Sequence, residues 1–232
     1  MPEISLIEEL TREPIPAGSI LLVEYDPASQ WYNASITITA GWLKTGGKVD
    51  YAAFSRSPDE IRTQLKRIGV ELEKFEGDGK FVMTDFYTPM LGQKSKEKDS
   101  HSLKVADLSI YLGQTLLRGT PDPDMLYIGD DESTFARFND EKSWTELEFT
   151  RMIPGIKARQ STLFIPLTTG VLSDWVYKRF ESVSDGVIEI KLDESGEEAS
   201  SLMRIRVMHN VHFDSRWHEL KIGENFEVTL EK

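Results

Sequence analysis

KVDYAAFSRSPDEI, residues 48–61, decides the fold. Its first half, residues 48–54, reads as a β-strand. Its second half opens a helix. Ser57 is a good N-cap, Pro58 suits a first helical position where no N–H partner is lost, and Glu60 completes a capping box. Ile61, Leu65 and Ile68 then recur on one face, and Gly69 supplies a stop. A strand turning directly into a capped amphipathic helix is a building unit of α/β proteins.

Upstream, residues 18–24 carry the continuous apolar run SILLV between turn residues, the pattern of a buried strand. Residues 3–10 suit a short amphipathic helix that stops before Pro14 and Pro16. The segment 31–44 pulls two ways. Ile36, Ile38, Ala40 and Trp42 alternate as in a strand, whereas the length between turn signals and the Gly46-Gly47 stop suit a helix. Downstream, the patterning predicts a strand at 81–87, a charged loop at 92–104 and an apolar helix at 105–117. A strand at 125–128 ends in Gly129-Asp130-Asp131, and a helix at 141–158, a strand at 161–167 and a helix at 175–180 follow. The tail changes character, with strands expected at 186–192, 202–211 and 226–230. Strands alternating with helices and then a β-rich end predict a mainly parallel α/β core with an antiparallel extension. No repeat or linker interrupts the pattern, so residues 1–232 are expected to form one domain.

Composition narrows the function classes. The chain contains no cysteine, which excludes disulfides, thiolate metal sites, iron–sulfur clusters and cysteine nucleophiles. Its net charge of −12 disfavours nucleic-acid binding, which needs clustered Lys and Arg against phosphate. The densest basic stretch, Lys94-Ser95-Lys96-Glu97-Lys98, is broken by an acid and reads as a solvated loop. No apolar run approaches the ~20 residues of a membrane helix, and MPEISLIEELTREPIP lacks the pattern of a secretory signal. A cytoplasmic location and no membrane partner are the corresponding expectations. His209, His212 and His218 lie near Asp214, but residues 204–212 read as a strand whose successive side chains alternate faces, so no metal site is expected there. No Gly-x-Ser-x-Gly elbow of a serine hydrolase appears.

The order of elements and several local strings resemble the KaiC-like branch of the RecA superfamily of ATPases. In that family a strand enters a loop E-G-P-P-G-S-G-K-T-T, a helix follows, and the next strand ends in F-E-E-S-P-E-E-L. Here FSRSPDEI stands at 54–61 after KVDYAAF, and the likeness continues through residues 69–89, 125–133, 183–190 and HFDSRWHELKI at 212–222. The resemblance implies a RecA-like three-layer fold and places residues 31–44 on the family's helix, against their local alternation.

Counted back without a gap, the family's loop falls on Glu24, Tyr25, Asp26, Pro27, Ala28, Ser29, Gln30, Trp31 and Tyr32. Tyr25 replaces the first Gly, Gln30 the Gly before the lysine, Trp31 the phosphate-binding Lys, and Tyr32 the magnesium-binding Thr. A phosphate loop works because glycines let backbone N–H groups close around the phosphates, Lys adds charge and a hydroxyl holds magnesium. All three contributions are altered, so the loop is expected to be vestigial and filled by aromatic rings. The family's paired glutamates, which activate water, fall on Ser55 and Arg56. Phosphoryl transfer rests on positioning, charge and a water-orienting group, so losing both sets should abolish ordinary ATP hydrolysis.

Two remnants are implied by the same register. Asp130 matches the family's magnesium-site acid, although a solvated strand end or helix N-cap is the favoured alternative. Arg206 and His212 match part of the K-M-R-G-S-x-H string that ring-forming members extend to a neighbour's phosphates; the competing reading is a strand with exposed polar residues. The expected function is a catalytically inactive scaffold or regulatory interaction subunit with no cofactor. Its partner would be itself, an active RecA-like paralogue or another protein. Two alternatives stay open: a sensor binding Mg-ATP in a non-standard way, and a recombination-accessory paralogue.

Overall fold

The computed structural model describes residues 2–115 and 119–231. Its strands are β1 (Ile20–Tyr25), β2 (Lys48–Ala53), β3 (Phe81–Asp85), β4 (Asp99–Ser100), β5 (Met125–Gly129), β6 (Thr162–Thr168), β7 (Gly186–Asp193), β8 (Ser200–Met208), β9 (His218–Ile222) and β10 (Val228–Glu231). They form one sheet in the order β10-β9-β8-β7-β1-β6-β5-β2-β3-β4. From β7 to β4 every pairing is parallel, and from β7 to β10 every pairing is antiparallel. The helices are α1 (Trp31–Lys44), α2 (Pro58–Arg67), α3 (Leu72–Gly77), α4 (Tyr87–Met90), α5 (Val105–Thr115), α6 (Glu141–Leu147), α7 (Ile153–Arg159) and α8 (Asp174–Glu181). A parallel core with antiparallel C-terminal strands is the architecture the sequence predicts.

The sheet separates two hydrophobic clusters, and the side-chain period of two assigns residues to them. Along β1, Leu21 and Val23 join the cluster containing α1 and α2, while Ile20 and Leu22 join the one beneath α5 to α8. That division explains the unbroken apolar run in the sequence: a strand covered on both faces needs no polar alternate.

The capping box forms as its residues dictate. Glu60 N donates to Ser57 Oγ at 3.3 Å, Ser57 N donates to Glu60 Oε2 at 2.9 Å, and Pro58 occupies the first turn of α2. Gly69 ends the helix region with φ +80°, a conformation that costs a residue with a Cβ.

Helix α1 spans residues 31–44, and its apparent strand alternation has a packing cause. One side faces the sheet; the other is covered by the N-terminal segment and β10, where Val228 N donates to Thr37 Oγ1 at 2.9 Å. Burial on both sides places Ile36, Ile38, Ala40 and Trp42 all in the interior.

Several boundaries differ from the sequence expectations. Residues 3–10 form turns and a short 3-10 helix (Glu8–Leu10) rather than an amphipathic helix. The third strand stops at Asp85 and the tail strand β8 stops at Met208. The helix expected at 141–158 is α6 and α7 joined by a π-helical turn (Glu148–Met152). Pro154 contributes by lacking the N–H that an α-helical continuation would require. The end of the helix expected at 105–117 lies outside the described residues. Strand β9 was not anticipated: HELKI is short and carries two charges in five residues. Among the described residues, no helix is long and apolar enough to cross a membrane.

Candidate functional site

Strand β1 lies between β7 and β6 and carries the chain to the carboxyl edge of the parallel sheet, where open α/β folds place their ligands. Residues 26–30 then turn into α1. Asp26 N donates to Ile190 O at 2.9 Å, which fixes the loop to β7. The following amides fold back on Asp26: Ala28 N donates to its Oδ1 at 2.8 Å and Ser29 N to its carbonyl at 2.9 Å. Ser29 Oγ adds a donation to the same carbonyl at 2.7 Å. These are the contacts of an Asx-type turn. Two amides that a phosphate loop would direct at an anion are thereby used within the turn. None of residues 26–30 adopts the left-handed conformation that makes glycine necessary in such loops.

Trp31 opens α1 and is 1% exposed. Its indole Nε1 donates to the Asp130 carbonyl at 3.0 Å, and its ring lies near Tyr25 and Phe164, with centroids 6.1 and 6.2 Å away. Tyr25 is also turned inward. Its hydroxyl donates to the Asp130 carbonyl at 3.4 Å and accepts from Thr168 Oγ1 at 2.8 Å. Burial raises the Tyr25 pKa above the ordinary phenol range, with the nearby Asp131 charge acting in the same direction. Tyr32 stays partly exposed and carries the Arg56 guanidinium 4.4 Å above its ring, a cation–π pair. Burial pushes its pKa up to about 12.

Asp130 is the residue around which the site is organised. Gly129 precedes it at the end of β5, where a Cβ would stand 2.8 Å from the Phe54 ring and 2.9 Å from the Ala52 carbonyl. That close approach brings the Asp130 carboxylate against the end of β2. Oδ1 accepts from Phe54 N at 2.7 Å; Oδ2 accepts from Ser55 N at 3.0 Å, Ser55 Oγ at 2.9 Å and Arg56 N at 2.7 Å. Burial pushes its pKa up to about 6, against these four donors, so at neutral pH it stands as a carboxylate. It caps the backbone at the very positions, Ser55 and Arg56, where the resemblance implies catalytic glutamates.

Glu24 and Arg206 belong to a different cluster. Arg206 lies 3.3 Å from Glu24, 2.9 Å from Glu181 and 2.9 Å from Glu189, all in its own chain. Burial pushes the Glu24 pKa up to about 7, opposed by Arg206. His212 lies beyond β8, strongly exposed, with Nδ1 3.0 Å from Glu13 Oε1. Arg206 and His212 therefore sit with carboxylates from separate parts of the chain rather than together. Among the described residues, no group of His, Asp and Glu is arranged to hold a metal ion.

At the loop remains a cleft of about 380 Å³, lined by Pro27, Ser29, Trp31 and Tyr32 together with Arg56 and Arg137 among others. Asp131, Ser133, Thr134, Arg137 and Thr168 were not singled out in the sequence. Asp131 caps the 3-10 helix Glu132–Arg137 by accepting from Ser133 N at 3.0 Å, and also accepts from Thr168 Oγ1 at 3.2 Å. The doubled acid after Gly129 was the available signal.

Comparison with known proteins places this geometry in context. Residues 34–231 match the model of a family described as the KaiC ATPase. The chain is 21% identical over 220 residues to a UPF0273 protein of Thermotoga maritima, covering 94% of this chain and 90% of that protein. It also superposes on the crystal structure of a KaiC-like protein from the hyperthermophilic archaeon Pyrococcus horikoshii. That match has a TM-score of 0.74 at 16% identity, over 100% of this chain and 97% of the other.

Proposed function

From the premise that this chain belongs to the KaiC family of ATPases, we propose that it keeps the family's fold without its ATP hydrolysis. It acts as a scaffold or regulatory subunit that binds other proteins or further copies of itself. The observation that carries this reading is the Trp31 indole, buried where the resemblance puts the phosphate-binding lysine and hydrogen-bonded to the Asp130 backbone. Three further features support it. The loop amides of Ala28 and Ser29 close on Asp26. Tyr32 supplies a phenol in place of a magnesium-binding aliphatic hydroxyl. Asp130 has both oxygens occupied by backbone and hydroxyl donors of residues 54–56, which leaves it poorly placed to hold a hydrated metal.

An interaction role also finds support on the surface. Val171 and Trp175 are 57% and 45% exposed at the same carboxyl edge of the sheet, and exposed aromatic residues are common anchors of protein interfaces. Phosphate release from Mg-ATP tests the catalytic half of the proposal: the purified chain should show none above buffer. Light scattering, alone and with candidate partners, tests the assembly half, and loss of assembly in Trp175→Ala would locate the interface. Turnover that disappears in Asp130→Ala would overturn the reading.

A second reading is favoured by the residual cleft. Arg56, Arg137 and the hydroxyls of Ser55, Ser133 and Thr134 surround it, and Tyr32 presents part of a ring to it. A nucleotide sensor would use that cleft, stacking a base on Tyr32 with no hydrolysis. It requires saturable Mg-ATP binding that weakens in Tyr32→Ala and in Arg56→Ala.

A further inference from the structure

On the opposite face of the sheet from α1 lies a second cavity, of about 230 Å³, between β2, β3 and β5 and the layer formed by α5, α6 and the π-helical turn. Most of its wall is apolar, with Phe54, Phe86, Leu108, Leu112 and Phe135 contributing. Phe54 and Phe86 stack with centroids 4.9 Å apart, and Phe135 meets Phe54 edge-on at 5.2 Å. A purely structural void in such a core would carry no charge. This one is lined by Glu132 and Glu148, only 6% and 5% exposed, and by Asp50 and Asp99.

The two glutamates are incompletely satisfied. Glu132 Oε2 and Glu148 Oε2 are both buried without a hydrogen-bond partner. Trp144 Nε1 lies close enough to favour the Glu148 charge but closes no hydrogen bond of ordinary geometry. Among the described residues, no Lys, Arg or His lines the cavity, although the Arg159 charge reaches Asp50. A buried carboxylate without a partner is costly to ionise, so burial raises the pKa of both groups well above the usual carboxylate range, and the Glu148 charge adds to the rise at Glu132. Backbone geometry contributes as well. Glu148 and Met152 delimit the π-helical turn, and both line the cavity. Such wide turns are frequent at functional sites because they redirect side chains that a regular helix would aim elsewhere. The four acids come from four separate elements, β2, β4, the 3-10 helix Glu132–Arg137 and the π-helical turn, so the cluster is assembled by the tertiary fold.

We propose that this cavity binds a small amphipathic amine. Its ammonium group sits between Glu132 and Glu148, and its hydrocarbon or aromatic body packs against Phe54, Phe86 and Phe135. One cation satisfies both unpartnered oxygens, and the apolar wall selects a ligand with a hydrophobic body over a bare inorganic cation. Among the described residues, no carboxylate group is arranged as a metal site. The site is separate from the loop at Trp31 and does not depend on the scaffold reading.

Benzylamine is a suitable probe, with benzyl alcohol as its neutral counterpart. Titration followed by NMR, reading the Trp144 indole resonance, should give a saturable shift with benzylamine. The Trp31 resonance should hardly move. Benzyl alcohol should bind at least tenfold more weakly. The double variant Glu132→Gln/Glu148→Gln should weaken benzylamine binding at least tenfold. Ala52→Leu, which fills the cavity from β2 while keeping both acids, should do the same and guards against a fold defect in the double variant. Absence of saturation with benzylamine in the wild-type protein would overturn the proposal. So would equal binding of the alcohol, or binding unchanged in both variants.

Discussion

The Trp31 indole and the Asp130 carbonyl are joined by a 3.0 Å hydrogen bond across 99 residues of chain. The bond ties the start of α1 to the end of β5 and fixes an aromatic ring at the carboxyl edge of the sheet. Trp31→Ala should therefore be costly. Removing a buried indole from a packed site typically costs about 3–5 kcal/mol, and urea denaturation should show a loss of that order. Trp31→Phe keeps most of the packing and should lose only about 1–2 kcal/mol. A surface-like effect below half a kcal/mol for Trp31→Ala would mean that the ring is not a structural plug.

Asp130→Asn tests the carboxylate as a backbone cap. Asn keeps one acceptor oxygen, and its NH₂ group must face either Phe54 N or the donors of Ser55 and Arg56. A donor then meets a donor in a buried place, which should cost about 2–3 kcal/mol. Hydrogen exchange at the amides of Phe54, Ser55 and Arg56 should accelerate in the same variant. Unchanged protection there would remove Asp130 from the centre of the site.

The buried acids predict a pH dependence. Glu132 and Glu148 have folded-state pKa values above their unfolded ones, because burial disfavours ionisation of both; the Glu148 and Asp131 charges raise Glu132 further, and Trp144 opposes the rise at Glu148. The folded state therefore binds more protons, and the stability that these groups contribute is present at low pH and lost as pH rises from about 5 through neutrality. Glu148→Gln should flatten that slope and raise the thermal midpoint at pH 8 relative to the wild type. A wild-type stability rising steeply across the same range would contradict the assignment.

Arg206→Met leaves Glu24, Glu181 and Glu189 without their shared cation. Because Arg206 is partly exposed, the loss should be modest, about 1–2 kcal/mol. It should also be larger at pH 8 than at pH 5. Glu24 already has its pKa pushed up to about 7, and removing the cation makes its ionised form costlier still. Thermal midpoints at the two pH values measure this difference.

Some of this was legible in the sequence and some was not, for identifiable reasons. The helix after Ser57 was readable because its cap, proline and stop are local signals, and each forms as written. The burial of β1 followed from an apolar run with no polar alternate. Helix α1 needed the register of the family loop, because β10 and the N-terminal segment bury its second side and disguise its period. Strand β9 escaped because it is short and carries two charges, and its pairing with β8 and β10, not an apolar run, makes it a strand. At the site, register alone located Trp31 and Tyr25. The role of Asp130 was hidden, since no local pattern reveals that the amides of residues 54–56 converge on a side chain more than seventy residues later. The acidic cavity was hidden in the same way: Asp50, Asp99, Glu132 and Glu148 look solvated one at a time and meet only in the folded chain.

In the proposed function, Trp31 and its neighbours have replaced the phosphate-binding function of this loop. Calorimetric titration of the purified wild-type chain with Mg-ATP, at concentrations that would reveal sub-millimolar affinity, tests it most directly. No saturable heat is expected. Saturable binding that weakens in Trp31→Ala would contradict it and make nucleotide sensing the function of the site.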